Sequence, residues 1–242
     1  MTSFLPAMLT RLTNRGVLRL WGRDAASFLN GLTTNKTLSS TDGGAVYTGL
    51  LTPQGRVLCD ALVYKGTQAK DDGTSELLVE CDADVAGPLL DHLRKYKIRV
   101  KLDMADVSAS FNVHVVLGND TDQQLLQANG AIVATDPRHP SLGTRVLVPS
   151  STLVTTQIDN NEEDYRLRRY SLGIPEGTKE IAVGEAFPFE CNMDYANGVS
   201  LSKGCYLGQE LTSRTFYKGV TRKRMMPLSL APYSAGPSLP LT

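Results

Sequence analysis

The stretch SKGCYLGQE (202–210) places a cysteine between glycine and tyrosine, two residues after a lysine. A thiol acts as nucleophile or metal ligand in its thiolate form, so the question is what its neighbours favour. Lys203 precedes Cys205, Arg214 and Lys218 follow it, and GQELTSR (208–214) can open a helix whose first amides would face the sulfur. Glu210 and Arg214, at i and i+4, support that helix by about 0.3 kcal/mol. Gly204 and Gly208 permit tight turns and the close approach of a partner. Local sequence leaves two roles open for Cys205: an accessible, activated thiol, or a small buried hydrophobe.

The chain has 242 residues with four cysteines and three histidines. No two cysteines form a CxxC pair, and His92, His114 and His139 lie beside none of them, which speaks against a self-contained metal module. So few cysteines in this length do not make a disulfide scaffold and point to a reducing compartment. Cys59 and Cys81 fall in or beside apolar strands and read as core, while Cys191 stays open. Acidic and basic side chains balance at 25 each, so no global field draws DNA or an anionic membrane. No apolar run approaches the roughly 18 residues of a bilayer span. The sequence reads as a soluble folded protein. Residues 1–22 carry Arg11, Arg15 and Arg19 and no acid, weakly like the tail of a mitochondrial transit peptide, although from Gly16 onward they already read as a strand.

Whatever its role, Cys205 is held by the elements around it. Alternation in GVLRLWG (16–22) predicts a strand, and Asp24 is placed to cap the helix AASFLNGL, with Phe28, Leu29 and Leu32 on one face. AVYTGLL (45–51), the turn TPQG (52–55) and RVLCDALVYK (56–65) predict a hairpin. DDGT (71–74) turns into the strand ELLVE (76–80), and from Asp82 a helix carries Leu89, Leu90, Leu93 and Tyr96 at helical spacing. Strands follow at FNVHVVLG (111–118) and TRVLVP (144–149), with a short helix at TDQQLLQANG (121–130) and another at NEEDYRLRRYSLG (161–173). His114 reads as structural and the arginines of 166–169 as a solvated helix face. From 174 to 202 periodicity stops. Phe187, Phe189, Met193 and Tyr195 argue against disorder there, so an ordered functional loop is expected. No acid follows Glu210, which leaves Arg214, Lys218, Arg222, Lys223 and Arg224 as a local basic segment before the tail APYSAGPSLPLT.

KGCYLGQE, with Arg214 four residues past its Glu, resembles the signature of the YgfZ-type folate-binding proteins in the superfamily of the glycine-cleavage aminomethyltransferase. RGVLRLWGRDAASFLNGLTTN (15–35) is similar to the N-terminal strand–helix of that family, TPQGRVLCDALVY (52–64) to its central hairpin, and RLRRYSLGIPEG through FPFECNMD (166–194) to the segment leading into the cysteine motif. The likeness spans about 15–220 and is strongest to the branch serving mitochondrial iron–sulfur assembly. It implies an α+β fold: two interlocked aminomethyltransferase-like subdomains around a central cavity over 1–220, with the C-terminal β-barrel largely absent. Residues 221–242 would be a remnant of that barrel or a tail.

The resemblance also implies a role in the mitochondrial matrix, supporting maturation of [4Fe–4S] proteins with an A-type cluster carrier, and tetrahydrofolate as a ligand. Cys205 would be the functional thiol, ligating a transient iron–sulfur cluster bridged to the carrier, which brings the other ligands. Lys203, Gly204, Tyr206, Gly208, Gln209, Glu210 and Arg214 match the motif and would order the loop or touch the partner. A folate would use Asp60 or Glu190 at the pterin edge, Phe189 and Tyr195 as walls, and the basic segment for its glutamate tail. One departure matters. The aminomethyltransferase hairpin carries paired acids in GG-x-x-DD, whereas GRVLCD keeps Asp60 and puts Cys59 in the other place. General acid–base work needs a placed titratable group, so a folate-dependent one-carbon transferase of aminomethyl type stands as the alternative rather than the expectation. Contact with RNA through 214–224 is disfavoured by the neutral charge and the absence of RNA motifs.

Overall fold

The computed structural model describes residues 9–37, 44–66, 74–117, 130–152, 158–159 and 161–229. The helix expected over 121–130 lies outside these residues except for Gly130. So do most of the turn at 71–74, the tail at 231–242 and the first eight residues of the transit-like stretch.

Alternating apolar side chains build the first sheet and fix what covers each face. Its strands are β2 (Arg15–Gly22), β3 (Ala45–Leu51), β4 (Val57–Lys65), β5 (Ser75–Asp82) and β6 (Asp103–Asp106), in the order β3-β4-β5-β2-β6 and antiparallel throughout. Leu18, Leu20, Cys59, Ala61, Val63, Leu77, Val79 and Cys81 turn to one face. There they meet α1 (Ala25–Asn30) and α2 (Ala83–Tyr96) through Phe28, Leu29, Leu89, Leu90 and Leu93. Each of these buried leucines contributes about 2 kcal/mol. Val17, Leu62, Tyr64 and Leu78 point to the other face, against the second sheet.

The second sheet runs β10-β1-β7-β9-β8, from β1 (Leu9–Arg11), β7 (Phe111–Val116), β8 (Ile132–Thr135), β9 (Thr144–Pro149) and β10 (Ile158–Asp159). β1 thus belongs to one sheet and β2, a few residues later, to the other. Later in the chain, the Gly184 amide donates to Val57 O of β4 at 2.8 Å and the Val57 amide to Ala186 O at 2.9 Å, which seats residues 184–186 on the β3–β4 hairpin.

Asp82 ends β5 and caps α2, its side chain accepting from the Asp84 amide at 2.9 Å. Asp24 occupies the N-cap position of α1 without bonding its amides; its carboxylate accepts from the Lys101 amide at 2.6 Å instead. The helix expected over 161–173 is α3 (Glu163–Ser171). One correction falls here. Arg169 is buried and pairs with Glu180 at 2.7 Å, while Arg166 and Arg168 remain exposed as expected. Residues 174–208 form neither helix nor strand, yet bury Ile174, Ile181, Phe189, Cys191 and Met193, so this long loop is ordered.

His114 sits in β7, opposite Arg11, and is 2% exposed. Burial pushes its pKa down to about 4 from 6.5, and the Arg11 charge acts in the same sense. The folded state therefore binds fewer protons than the unfolded chain between these values, and stability falls as pH drops through that window. His114→Gln is expected to remove up to about 3 kcal/mol of this acid dependence, read as denaturant midpoints at pH 7 and pH 4.

Candidate functional site

The Cys205 loop is shaped by what grips it on either side. Lys203 spends all three ammonium protons on backbone carbonyls, donating to Asn30 at 2.7 Å, Thr33 at 2.6 Å and Asn35 at 2.9 Å. The Leu207 amide donates to Gly31 O at 3.0 Å and the Ser200 amide to Thr34 O at 2.9 Å. Residues 200–207 are thereby laced along the NGLTTN segment that leaves α1. Downstream, α4 (Gln209–Lys218) starts with the Gln209 side chain accepting from the Tyr206 amide at 3.0 Å. Gly208 takes φ +77°, and a Cβ there would meet Thr52 O at 2.4 Å and Gly55 Cα at 3.1 Å. The loop is docked backbone to backbone on the β3–β4 turn.

Between these anchors Cys205 is exposed, and Gly204 faces open space. Two of the three cations placed near the sulfur by sequence serve elsewhere. Lys203 holds carbonyls, and Arg214 pairs with Glu210 at 2.6 Å on the exposed side of α4. Cys59, Cys81 and Cys191 are buried, and burial pushes the last two up to about 12 and Cys59 well above its usual value. Cys191, left open by sequence, is a core thiol. Among the described residues no group of three or more His, Cys, Asp or Glu side chains is arranged to hold a metal ion. What remains is one accessible sulfur on a pinned loop.

The four folate candidates do not converge on one place. Asp60 is 2% exposed, accepts from the Gly177 amide at 3.0 Å, and is raised by burial against the opposing charge of Arg15. Phe189 and Glu190 line a cavity of about 260 Å³ with Leu211, Thr215, Arg222 and Lys223. Tyr195 is 72% exposed beneath the Arg224 guanidinium, which stacks 4.1 Å from its ring centre.

A feature that sequence reading missed lies between the sheets. Arg145 of β9, fully buried, donates to Glu80 of β5 at 2.9 Å, to Glu176 and to the Tyr165 hydroxyl. Arg138 forks onto Asp136 at 2.9 and 2.6 Å and reaches Glu176 at 2.7 Å. Arg15 of β2 donates to Glu80 at 2.8 Å. Burial alone would raise the Glu176 carboxyl, but Arg145, Arg138, Arg15 and Arg169 outweigh it and hold it well below its usual range. Four arginines, Arg15, Arg138, Arg145 and Arg169 (3.8 Å from Glu176), thus face Glu80, Asp136 and Glu176 in one network, and Arg169 pairs also with Glu180. Beside it, Arg15 Nη2 and Tyr47 Oη are buried without a hydrogen-bond partner. A cavity of about 140 Å³ opens beside Arg15, lined also by Asp82, Glu176 and Lys179, and Tyr47 does not line it.

This architecture is that of the aminomethyltransferases. The glycine cleavage system aminomethyltransferase T of Bartonella henselae superposes with a TM-score of 0.67, at 13% identity, over 88% of this chain and 64% of the other. No family model matches the sequence. By sequence the chain is a homologue of proteins named mitochondrial iron–sulfur cluster assembly factor IBA57. It is 39% identical to that of Neurospora crassa over 98% of its own length and 56% of the relative's. The mouse protein is 39% identical over 91% of this chain and 65% of the relative, and the Dictyostelium discoideum protein 34% over 91% and 62%. The chain therefore spans a little over half the length of these relatives. Among the described residues no helix is long and apolar enough to cross a membrane.

Proposed function

We propose that this chain is the aminomethyltransferase-like part of a mitochondrial iron–sulfur cluster assembly factor that supports maturation of [4Fe–4S] proteins, and that Cys205 gives one sulfur to a cluster whose other ligands come from an A-type carrier. The homologues' names supply the process and the compartment. The observation that carries the residue assignment is the contrast among the four thiols: three are sealed in the core and one is held out on a clamped loop. A single exposed sulfur, with no group of three or more metal-ligating side chains among the described residues, suits a cluster completed by a second protein, as Fe–S clusters take four ligands.

Cys205→Ser is expected to leave the unfolding free energy from denaturant titration unchanged within about 0.5 kcal/mol, as an exposed substitution should. It is expected to abolish the cluster absorption that appears when iron and sulfide are added to this chain with an A-type carrier. Retention of the wild-type spectrum and stoichiometry in the serine variant would refute the ligand role.

Tetrahydrofolate is the second element of the proposal. The unpartnered Arg15 Nη2 and Tyr47 Oη lie within electrostatic reach of Asp60 and Glu176, and such donors beside carboxylates suit the hydrogen-bonding edge of a pterin. When bound, the folate would supply one-carbon chemistry. Arg15, which lines the 140 Å³ cavity, would hold the ring edge, whereas Tyr47 and Asp60 do not line that cavity.

A further inference from the structure

The turn FPFE (187–190), the inner side of α4 and residues 220–223 enclose the cavity of about 260 Å³, which neither the cluster role nor the folate site uses. It shares no lining residue with the 140 Å³ cavity beside Arg15. Its walls are tied to one another. The Phe187 amide donates to Glu190 Oε2 at 2.9 Å and the Glu190 amide to the Phe187 carbonyl at 3.0 Å, which closes the turn. The chain leaving 220–223 then returns to that turn. The Arg224 guanidinium donates to the Phe189 carbonyl at 3.0 Å, and the Met225 amide to the Glu190 carbonyl at 3.0 Å.

The lining divides into an apolar floor and a basic rim. Phe189 is 5% exposed and Leu211 half-buried, whereas Val220, Arg222 and Lys223 are exposed. Arg222 and Lys223 make no ion pair with any described residue. The Arg56 guanidinium, 4.7 Å from the centre of the Phe187 ring, adds a third positive charge against this wall. Glu190 is the one acid in the lining, and the Phe187 amide engages it. A concave apolar space with a few convergent polar groups is the form that small-molecule sites take. At roughly 30 Å³ for a water-sized group, the space holds about nine heavy atoms.

We infer that this cavity is a binding site for a small amphipathic monoanion, an aliphatic carboxylate of about eight carbons, with its chain among Phe187, Phe189 and Leu211 and its carboxylate at Arg222 and Lys223. Burial of the chain supplies the affinity, and the two free cations fix the sign of the head group. Glu190 in the wall opposes a second negative charge, so a dianionic phosphate suits the site less well. The site stands independently of the cluster role of Cys205.

The test titrates the intact chain with sodium octanoate and follows the backbone amides by NMR. Octanoate is expected to saturate with a Kd of about 0.1–1 mM and to shift the amides of Phe189, Leu211, Thr215 and Val220. Octanol, the same chain without charge, should bind about fivefold more weakly, and octylammonium more weakly still. Arg222→Gln/Lys223→Gln is expected to weaken octanoate about fivefold while leaving octanol unchanged. Val220→Trp, which fills the mouth from an exposed position, is expected to weaken both ligands. Circular dichroism confirms the fold of each variant. No saturable binding up to about 10 mM overturns the site. So do equal affinities for octanoate and octylammonium, shifts confined to the groove at Ile174, Met225 and Pro227, or unchanged octanoate affinity in both variants. Octyl phosphate binding more tightly than octanoate overturns the assignment of a monoanion.

Discussion

Arg145→Met is expected to cost about 3–5 kcal/mol, a large share of the roughly 5–15 kcal/mol that holds a domain folded. The arginine is fully buried and its guanidinium contacts Glu80, Asp136, Glu176 and Tyr165 at once. Methionine fills similar volume but takes one cation from Glu80, Asp136 and Glu176, leaving Arg15, Arg138 and Arg169 to face them in the interior. The penalty comes from that uncompensated charge more than from any one lost hydrogen bond. Because the network joins β5 of one sheet to β9 of the other and to the loop at Glu176, the loss should loosen the whole interface between sheets. Denaturant unfolding followed by circular dichroism measures it. A cost below about 1 kcal/mol would mean that these groups are hydrated and the interior is not closed. Adding Glu80→Gln to Arg145→Met removes one of the stranded charges and should recover part of the loss, a coupling that a simple packing defect would not show.

That network marks where sequence reasoning stopped. The strands and helices around it were legible because each has one period and one apolar face: Leu89, Leu90 and Leu93 of α2, or Leu18 and Leu20 of β2. The interlocked fold and the role of Cys205 came through the resemblance, since the local sequence left an accessible thiol and a buried one both open. Arg15, Arg138, Arg145 and Glu176 gave no such signal, since an isolated arginine looks the same whether it meets water or a carboxylate far along the chain. The one hint was Arg145 itself, which opens the otherwise apolar run VLV of β9 at a position flanked by buried residues. The exposure of Phe216 and Tyr217 on α4 was similarly hidden. Residues 214–224 stood out by charge, while the exposure of Phe216 and Tyr217 is set by what packs beneath the helix, a tertiary property.

Gly208→Val is expected to detach the cysteine loop from its seat at a cost of about 3 kcal/mol, combining left-handed strain in a β-branched residue with overpacking. The glycine holds φ +77°, and a side chain there would point at backbone on the β3–β4 turn, with Thr52 O at 2.4 Å and Gly55 Cα at 3.1 Å from the new Cβ. Neither neighbour can swing aside as a flexible side chain would. Thr52 O already accepts from the Gly55 amide at 2.9 Å, and the Thr52 amide donates to Arg56 O at 2.8 Å, so the turn resists moving. The loop must therefore lift, and the Leu207 and Ser200 amides lose the carbonyls of Gly31 and Thr34. Gly204→Ala is the matched control, one residue before the thiol, where an added Cβ meets nothing within 4 Å. Hydrogen exchange at Leu207 and Ser200 should accelerate in Gly208→Val and stay slow in Gly204→Ala, with β2 and β5 protected in both. If a clamped thiol is what a carrier needs, Gly208→Val should also form the shared cluster poorly although Cys205 is intact. A variant with fast exchange and full cluster formation would show that the loop need not be held, and that exposure of the sulfur alone suffices.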